Sequence, residues 1–183
     1  MSASDGPTLI AIDLQNIFAS GPWGAPRFAD VVAPVRRLAD AIGPERSVFT
    51  RFVAPEEPEG SWVPYYRAWP FALQPPDAPE YQLVDAFTGR PTLDAPTFGK
   101  WPVLRAAGRF GPGADLVVCG VSTDCCVIAT VLAAADDGMT VRVVTDACAG
   151  ADDTTHRQAL DVMALFTPQV TLVTHDEVLA GVA

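Results

Sequence analysis

No apolar run in these 183 residues approaches the ~20 residues that a membrane-spanning helix requires. The longest runs, such as LVVCGV at 116–121, have the length of strands. The opening stretch MSASDGPTLIAIDLQ has no basic residue ahead of its short apolar run, so no secretory signal is expected and the expected location is the cytoplasm. Basic residues are scarce, 12 against 22 acidic ones, which gives a net charge of −10. Such a field repels polyanions and speaks against a nucleic-acid partner. Cysteine is sparse and clustered: Cys119, Cys125 and Cys126 fall within eight residues, and Cys148 follows. A disulfide framework would spread its cysteines along the chain, and a zinc site would need Cys-x-x-Cys or Cys/His spacing. Neither pattern is present, so the thiols read as reduced. Histidine occurs only at His156 and His175, and lysine only at Lys100, against eleven arginines. Either composition left a single lysine by chance, or an ammonium is chemically required at that point.

What is present is a globular composition, 49% hydrophobic and 19% charged, at a length that suits one domain over 1–183. Strand-length apolar runs alternate with helical periodicity. Thr8–Ile12 reads as a strand with Asp13 directly after it. Residues 27–42 place Val31, Val35, Leu38 and Ile42 on one helical face, with Pro34 as a weak point and Gly43-Pro44 as a stop. Residues 47–53 form a second strand, 101–110 a short helix and 116–120 a buried strand. Residues 123–137 read as a helix carrying Val127, Thr130, Val131, Ala134 and Ala135, ended by Gly138. A strand at 141–145 follows. Asp152 or Asp153 then caps a helix with Ala159, Leu160, Met163 and Phe166, and a last strand covers 169–174. The alternation predicts an α/β fold: a three-layer αβα sandwich around a mostly parallel, Rossmann-like sheet.

Residues 54–96 break the pattern. They hold nine of the seventeen prolines together with Trp62, Tyr65, Tyr66, Trp69, Phe71 and Tyr81. That density forbids a long helix or a central strand. The segment reads as a Pro/aromatic-rich insert, either a lid over a site or a surface excursion pinned down by its rings.

Two segments can carry chemistry. In doubly wound sheets ligands sit beyond the carboxyl ends of the strands. Asp13 and the segment GVSTDCCV, 120–127, both fall there. A thiol in the first turn of a helix feels the positive end of the helix dipole, which favours thiolate. Free N–H groups of the same turn can receive an oxyanion. The plainer alternative is a pair of buried cysteines serving as small apolar residues. A thiol nucleophile also needs a base. No motif joins either histidine to it, whereas a carboxylate can serve where burial disfavours its charge. Asp13 has that position, with helix capping as its alternative role.

The motifs IDLQNIF at 12–18 and GVSTDCCV resemble the DxQxxF opening and the GxxTxxCV nucleophile segment of the isochorismatase-like cysteine hydrolases, which include nicotinamidases and N-carbamoylsarcosine amidohydrolases. The resemblance spans essentially the whole chain and implies the isochorismatase-like version of the fold. It implies Cys126, rather than Cys125, as nucleophile, Asp13 as base, and a cis peptide at Val121–Ser122 that helps shape the oxyanion hole. It implies a lysine as third member. Lys100 stands only 26 residues ahead of Cys126, a shifted spacing, so it either fills that role from a new position or the triad is altered. Family members that hold a metal use histidines near the second strand. FTRFVAPEEPEG has none, so no metal and no cofactor are expected. The cysteine favours hydrolysis of an amide-type C–N bond over a vinyl ether. Phe18, Trp62, Tyr66, Trp69 and Trp101 are candidate pocket walls, because their rings offer flat apolar contact. Arg51 is a candidate partner for a substrate carboxylate. The partner expected is a small-molecule substrate, with no membrane, and the resemblance implies a homo-oligomer, a dimer or tetramer. Two other readings are a non-catalytic domain that keeps the fold and a redox protein using the adjacent thiols. Adjacent cysteines form a strained ring on oxidation, which disfavours the second.

Overall fold

The computed structural model describes residues 6–108 and 110–182. In chain order the elements are β1 (Thr8–Ile12), α1 (Asn16–Ala19), α2 (Phe28–Ile42), β2 (Ser47–Phe52), α3 (Trp62–Ala68), β3 (Thr92–Ala95), α4 (Trp101–Ala106), β4 (Asp115–Val121), α5 (Ile128–Asp136), β5 (Thr140–Ala149), α6 (Asp153–Ala164), β6 (Val170–Val173) and α7 (His175–Val182). The six strands form one sheet in the order β3-β2-β1-β4-β5-β6. Every ladder in it is parallel. From β1 the chain winds outward through β2 to β3, then returns to β4 and winds the other way. The reversal leaves a crevice between the carboxyl ends of β1 and β4, the place where such sheets bind ligands.

Helices cover both faces. α2 packs on β1, β4, β5 and α7, whereas α4, α5 and α6 pack against one another in the second layer. The apolar stripe predicted for α2 is buried at Val31, Val35, Leu38 and Ile42. The helix runs through Pro34, which lies half-buried on the flank of that stripe. Among the described residues no helix is long and apolar enough to cross a membrane.

Several expected boundaries move, for local reasons. The helix expected at 123–137 begins with a separate π-type turn, Thr123–Val127, before α5. The one expected at 101–110 stops at Ala106, two residues before Gly108 takes a positive φ. The proline-rich stretch is not wholly irregular. It contains the short helix α3 and ends in β3, an edge strand flanked by Pro91 and Pro96 where a missing N–H does no harm. Its middle is tied to the loop after β1, where Val84 N–H donates to the Leu14 carbonyl (2.9 Å) and Asn16 N–H to that of Gln82 (3.0 Å). Asp152 is the cap of α6, accepting from Thr154 and Thr155 N–H at 2.7 and 2.8 Å.

Candidate active site

β1 ends on a residue in left-handed conformation. Asp13 has φ +52°, which costs a non-glycine residue about 1 kcal/mol or more. Thr50 on β2 holds the bend: its hydroxyl accepts Asp13 N–H (3.2 Å) and donates to Asp13 Oδ1 (2.7 Å). On the other side of β1, Gly120 has φ +116°, and a Cβ there would lie 2.1 Å from the Ile12 carbonyl oxygen. Glycine is therefore what lets the end of β4 close against the end of β1. Gln15 braces the same corner from inside. It donates to the carbonyls of Phe52 (2.9 Å) and Tyr81 (2.8 Å) and accepts Phe52 N–H (2.7 Å).

Lys100 arrives from the loop after β3. Its ammonium lies 2.9 Å from Asp13 Oδ2, and both side chains are fully buried. It also donates to the Thr97 carbonyl (2.7 Å) and sits 5.1 Å from the centroid of the Phe52 ring. Asp13 Oδ2 makes no aligned hydrogen bond. The contact with Nζ is thus one of charge, and a lone pair on Oδ2 stays available. A third strut joins the lysine to the nucleophile turn: the Thr130 hydroxyl accepts Lys100 N–H (2.9 Å) and donates to the Cys126 carbonyl (2.7 Å).

β4 runs into this turn through a cis peptide at Val121–Ser122. The N–H groups of Cys125 and Val127 both donate to the Ser122 carbonyl (3.1 Å each), and the Cys126 N–H falls between them. Cys126 is 4% exposed and Cys125 half-buried. Contact with the Cys125 thiol, then burial, then the Asp13 charge push the Cys126 thiol well above the usual range, while Lys100 pulls it down. The Cys125 thiol is shifted down, chiefly by the hydrogen bond from Cys126 and further by Lys100, against burial and the charges of Asp124 and Asp13. Of the two sulfurs, Cys125 is the one shifted toward thiolate and Cys126 the one held as thiol.

A cavity of about 300 Å³ opens over the turn. Ser122, Cys125 and Cys126 face it, with Asp124 beside them. Its wall is aromatic: Phe18, Trp23, Phe52, Tyr65, Trp69 and Phe98. Burial, with the nearby thiols, pushes the Tyr65 hydroxyl up to about 12, so it stays a neutral donor. Asp13 and Lys100 do not line the cavity; their charges act on the Cys126 thiol from within the protein.

Of the expected wall residues, Phe18 and Trp69 face the cavity, and Trp62, Tyr66 and Trp101 do not. Trp62 is taken up by Phe98, Tyr65 and Tyr66, at ring distances of 4.9, 5.2 and 5.9 Å. Tyr66 follows Tyr65 on α3 and so points elsewhere, into the core. Trp101 turns toward the end of α5, where its indole N–H donates to Asp137 and its ring meets Phe110 at 5.6 Å. Arg51 is held by both carboxylate oxygens of Asp94, at 2.8 and 2.7 Å, and does not line the cavity. The histidines serve elsewhere: His156 Nδ1 lies 2.8 Å from the Thr123 hydroxyl, and His175 pairs with Asp146 at 2.6 Å. Sequence reasoning missed Thr50, Gln15, Thr130, Trp23 and Asp124. Gln15 had a signal in the DLQ triplet, and Thr130 stood as a lone hydroxyl on an otherwise apolar helix face.

The model of the isochorismatase domain matches residues 7–177. No curated protein matches the sequence. Solved structures share the fold at low identity. A cysteine hydrolase from Pseudomonas syringae pv. phaseolicola 1448A is 18% identical with a TM-score of 0.78, covering 96% of this chain and 92% of its own. The N-carbamoylsarcosine amidase of Thermoplasma acidophilum is 20% identical at 0.71, covering 93% and 96%. The pyrazinamidase of Pyrococcus horikoshii, solved in complex with zinc, is 21% identical at 0.71, covering 92% and 98%. In this chain, among the described residues, no three His, Cys, Asp or Glu side chains gather into a group that could hold a metal. The chain belongs to the isochorismatase family, and at that level it is a hydrolase.

Proposed function

We propose that the protein is a metal-independent cysteine hydrolase that cleaves the C–N bond of a small amide, with Cys126 as nucleophile, Asp13 as base and Lys100 as electrostatic partner. The observation that carries this reading is the fully buried Lys100–Asp13 pair, whose charges act on the Cys126 thiol. A buried ion pair adds little to stability, because desolvation consumes most of its attraction. Its presence beside a thiol at the switch point of the sheet calls for a chemical reason.

The placement supports the following steps. The resting Cys126 is a thiol, so attack requires that its proton leave in the same event. Oδ2 of Asp13, free of any aligned hydrogen bond, receives it. The Lys100 ammonium offsets the negative charge as sulfur bonds to the carbonyl carbon. The oxyanion meets the N–H groups of the turn that starts α5, with the Cys126 N–H as the first donor, and each such donor is worth about 3–4 kcal/mol. Asp13 returns the proton to the departing nitrogen, the C–N bond breaks, and a thioester on Cys126 remains. Water attacks the thioester as Asp13 takes its proton, the C–S bond breaks, and the proton passes from Asp13 to the Cys126 sulfur, which releases the acid and restores both thiol and carboxylate.

Ammonia release from a panel of small amides tests this. Cys126→Ala is expected to lower kcat/KM by about 10³-fold or more. Acid quenching during turnover is expected to trap an acyl group on the peptide that contains Cys126. Full activity in Cys126→Ala, with no acyl adduct on the wild-type peptide, refutes the scheme.

A further inference from the structure

We infer that this site selects for charge, taking amides whose non-reacting end is flat and positively charged and refusing anionic ones, through Asp124 and the aromatic wall around Trp23. The inference rests on the proposed hydrolase reading for its location and deepens it by naming a substrate class.

The charges around the cavity are one-sided. Among the described residues no arginine, lysine or histidine lines it. Arg51 is spent on Asp94, and Lys100 is unexposed and paired with Asp13. The acidic side chain that does line it is Asp124. Its Oδ1 accepts Ala151 N–H (2.9 Å), whereas Oδ2 has no hydrogen bond or ion pair among the described residues. A positive potential is present where the turn begins α5, but the reacting carbonyl oxygen takes that place. A carboxylate elsewhere on a substrate would lose its hydration and find no partner.

The walls match the same chemistry. Trp23 stands at the centre of the aromatic cluster, stacked on Phe18 at 6.0 Å and 9°, and set edge-to-face against Phe52 (5.7 Å, 76°) and Trp69 (6.1 Å, 62°). Tyr65 lies 5.9 Å away at 40°. Rings at such differing tilts present both faces and edges to one space. A cation near an aromatic face is attracted by the ring quadrupole, and tryptophan is the strongest of these partners. Several rings with one carboxylate at the border suit an ammonium or a quaternary nitrogen, and they also hold a flat neutral ring by apolar contact alone.

Benzamide and two para-substituted derivatives, the cation 4-(trimethylammonio)benzamide and the anion 4-carbamoylbenzoate, test the inference. Binding is measured by calorimetry on Cys126→Ala, which has no nucleophile. The cation is expected to bind about fivefold more tightly than benzamide, and the anion about fivefold more weakly. Adding Asp124→Asn, which keeps the oxygen that serves Ala151, is expected to shrink the cation-to-anion ratio about fivefold. Equal or tighter binding of the anion overturns the inference, and so does a ratio untouched by Asp124→Asn. The ranking decides the charge assignment whether or not the wild-type protein hydrolyses any of the three, since hydrolysis bears on the proposed function alone.

Discussion

The floor and the wall of the cavity are built by different forces. At the floor, direction rules. Thr50 fixes Asp13, the Thr97 carbonyl fixes the Lys100 ammonium, and Thr130 fixes the backbone of both Lys100 and Cys126. Each bond has a narrow angular range, and the groups are dry, so a missing partner leaves a costly unpaired atom. At the wall, six rings touch one another with no bond of fixed direction. Ring-on-ring packing tolerates substitution as long as volume is conserved. The floor is therefore suited to a single reaction, and the wall to variation in what is bound. Substitutions in the two regions should accordingly fail in different ways.

The largest effect is expected at the floor. Lys100→Met keeps the length and apolar stem of the side chain and removes its charge. Asp13 is then a buried carboxylate without its counter-ion, and the loss of folding stability is expected to be about 3–5 kcal/mol. Urea denaturation measures it. kcat/KM should fall about 10³-fold in the same protein. The double variant Asp13→Asn with Lys100→Met should recover most of the stability and none of the activity, because neither charge is then left alone. Stability unchanged in the single variant would mean that the floor is no more demanding than the wall.

The two regions also differed in how far the sequence disclosed them. Asp13 and Cys126 stand at the ends of apolar strands, so the alternation of elements alone brings them to one edge of the sheet. Lys100 was visible as the single lysine of the chain, and β3 and α4 bring it to Asp13 from its unusual spacing. The wall was poorly legible. Its residues come from α1, the loop after it, β2, α3 and the loop before α4, and which ring faces inward depends on contacts between these parts. Tyr65 and Tyr66 are neighbours in the chain, yet one lines the cavity and the other fills the core, since successive residues on a helix point about 100° apart. Trp101 follows the essential-looking lysine and faces away for the same reason. Trp23, in the short loop before α2, carried no periodic signal at all.

A substitution in the wall should give the opposite profile to one in the floor. Trp23→Ala removes the ring that contacts Phe18, Phe52, Tyr65, Trp69 and Phe71. The side chain is only half-buried, so the expected loss of stability is smaller, about 1–2 kcal/mol. KM is expected to rise about tenfold and kcat to change less than about threefold, because contact at the non-reacting end is the same in ground and transition states. Steady-state kinetics on whichever amide the panel identifies will separate the two parameters. A fall in kcat equal to that in kcat/KM would show that the wall also aligns the reacting carbonyl, and the division drawn between wall and floor would then have to be given up.

The smallest effect is expected where floor and wall meet, at Cys125. Its thiol is more exposed than that of Cys126 and is shifted down, so at neutral pH a larger fraction of it is thiolate. Iodoacetamide should therefore modify Cys125 before Cys126, as mass spectrometry of the alkylated peptide can show. The first cause of the downward shift is the hydrogen bond from Cys126. In Cys126→Ala that bond is gone, so the pH midpoint for alkylation of Cys125 should move up and the rate at neutral pH should fall. Cys125→Ser keeps a polar group in contact with Cys126 and should retain activity within about fivefold, in contrast to the loss expected for Cys126→Ala. The two variants assign the chemistry between adjacent sulfurs that lie in the same turn and under the same two charges. Should Cys125→Ser prove the inactive one, the nucleophile is the sulfur nearer the wall, and the buried pair of Asp13 and Lys100 acts on it through Cys126.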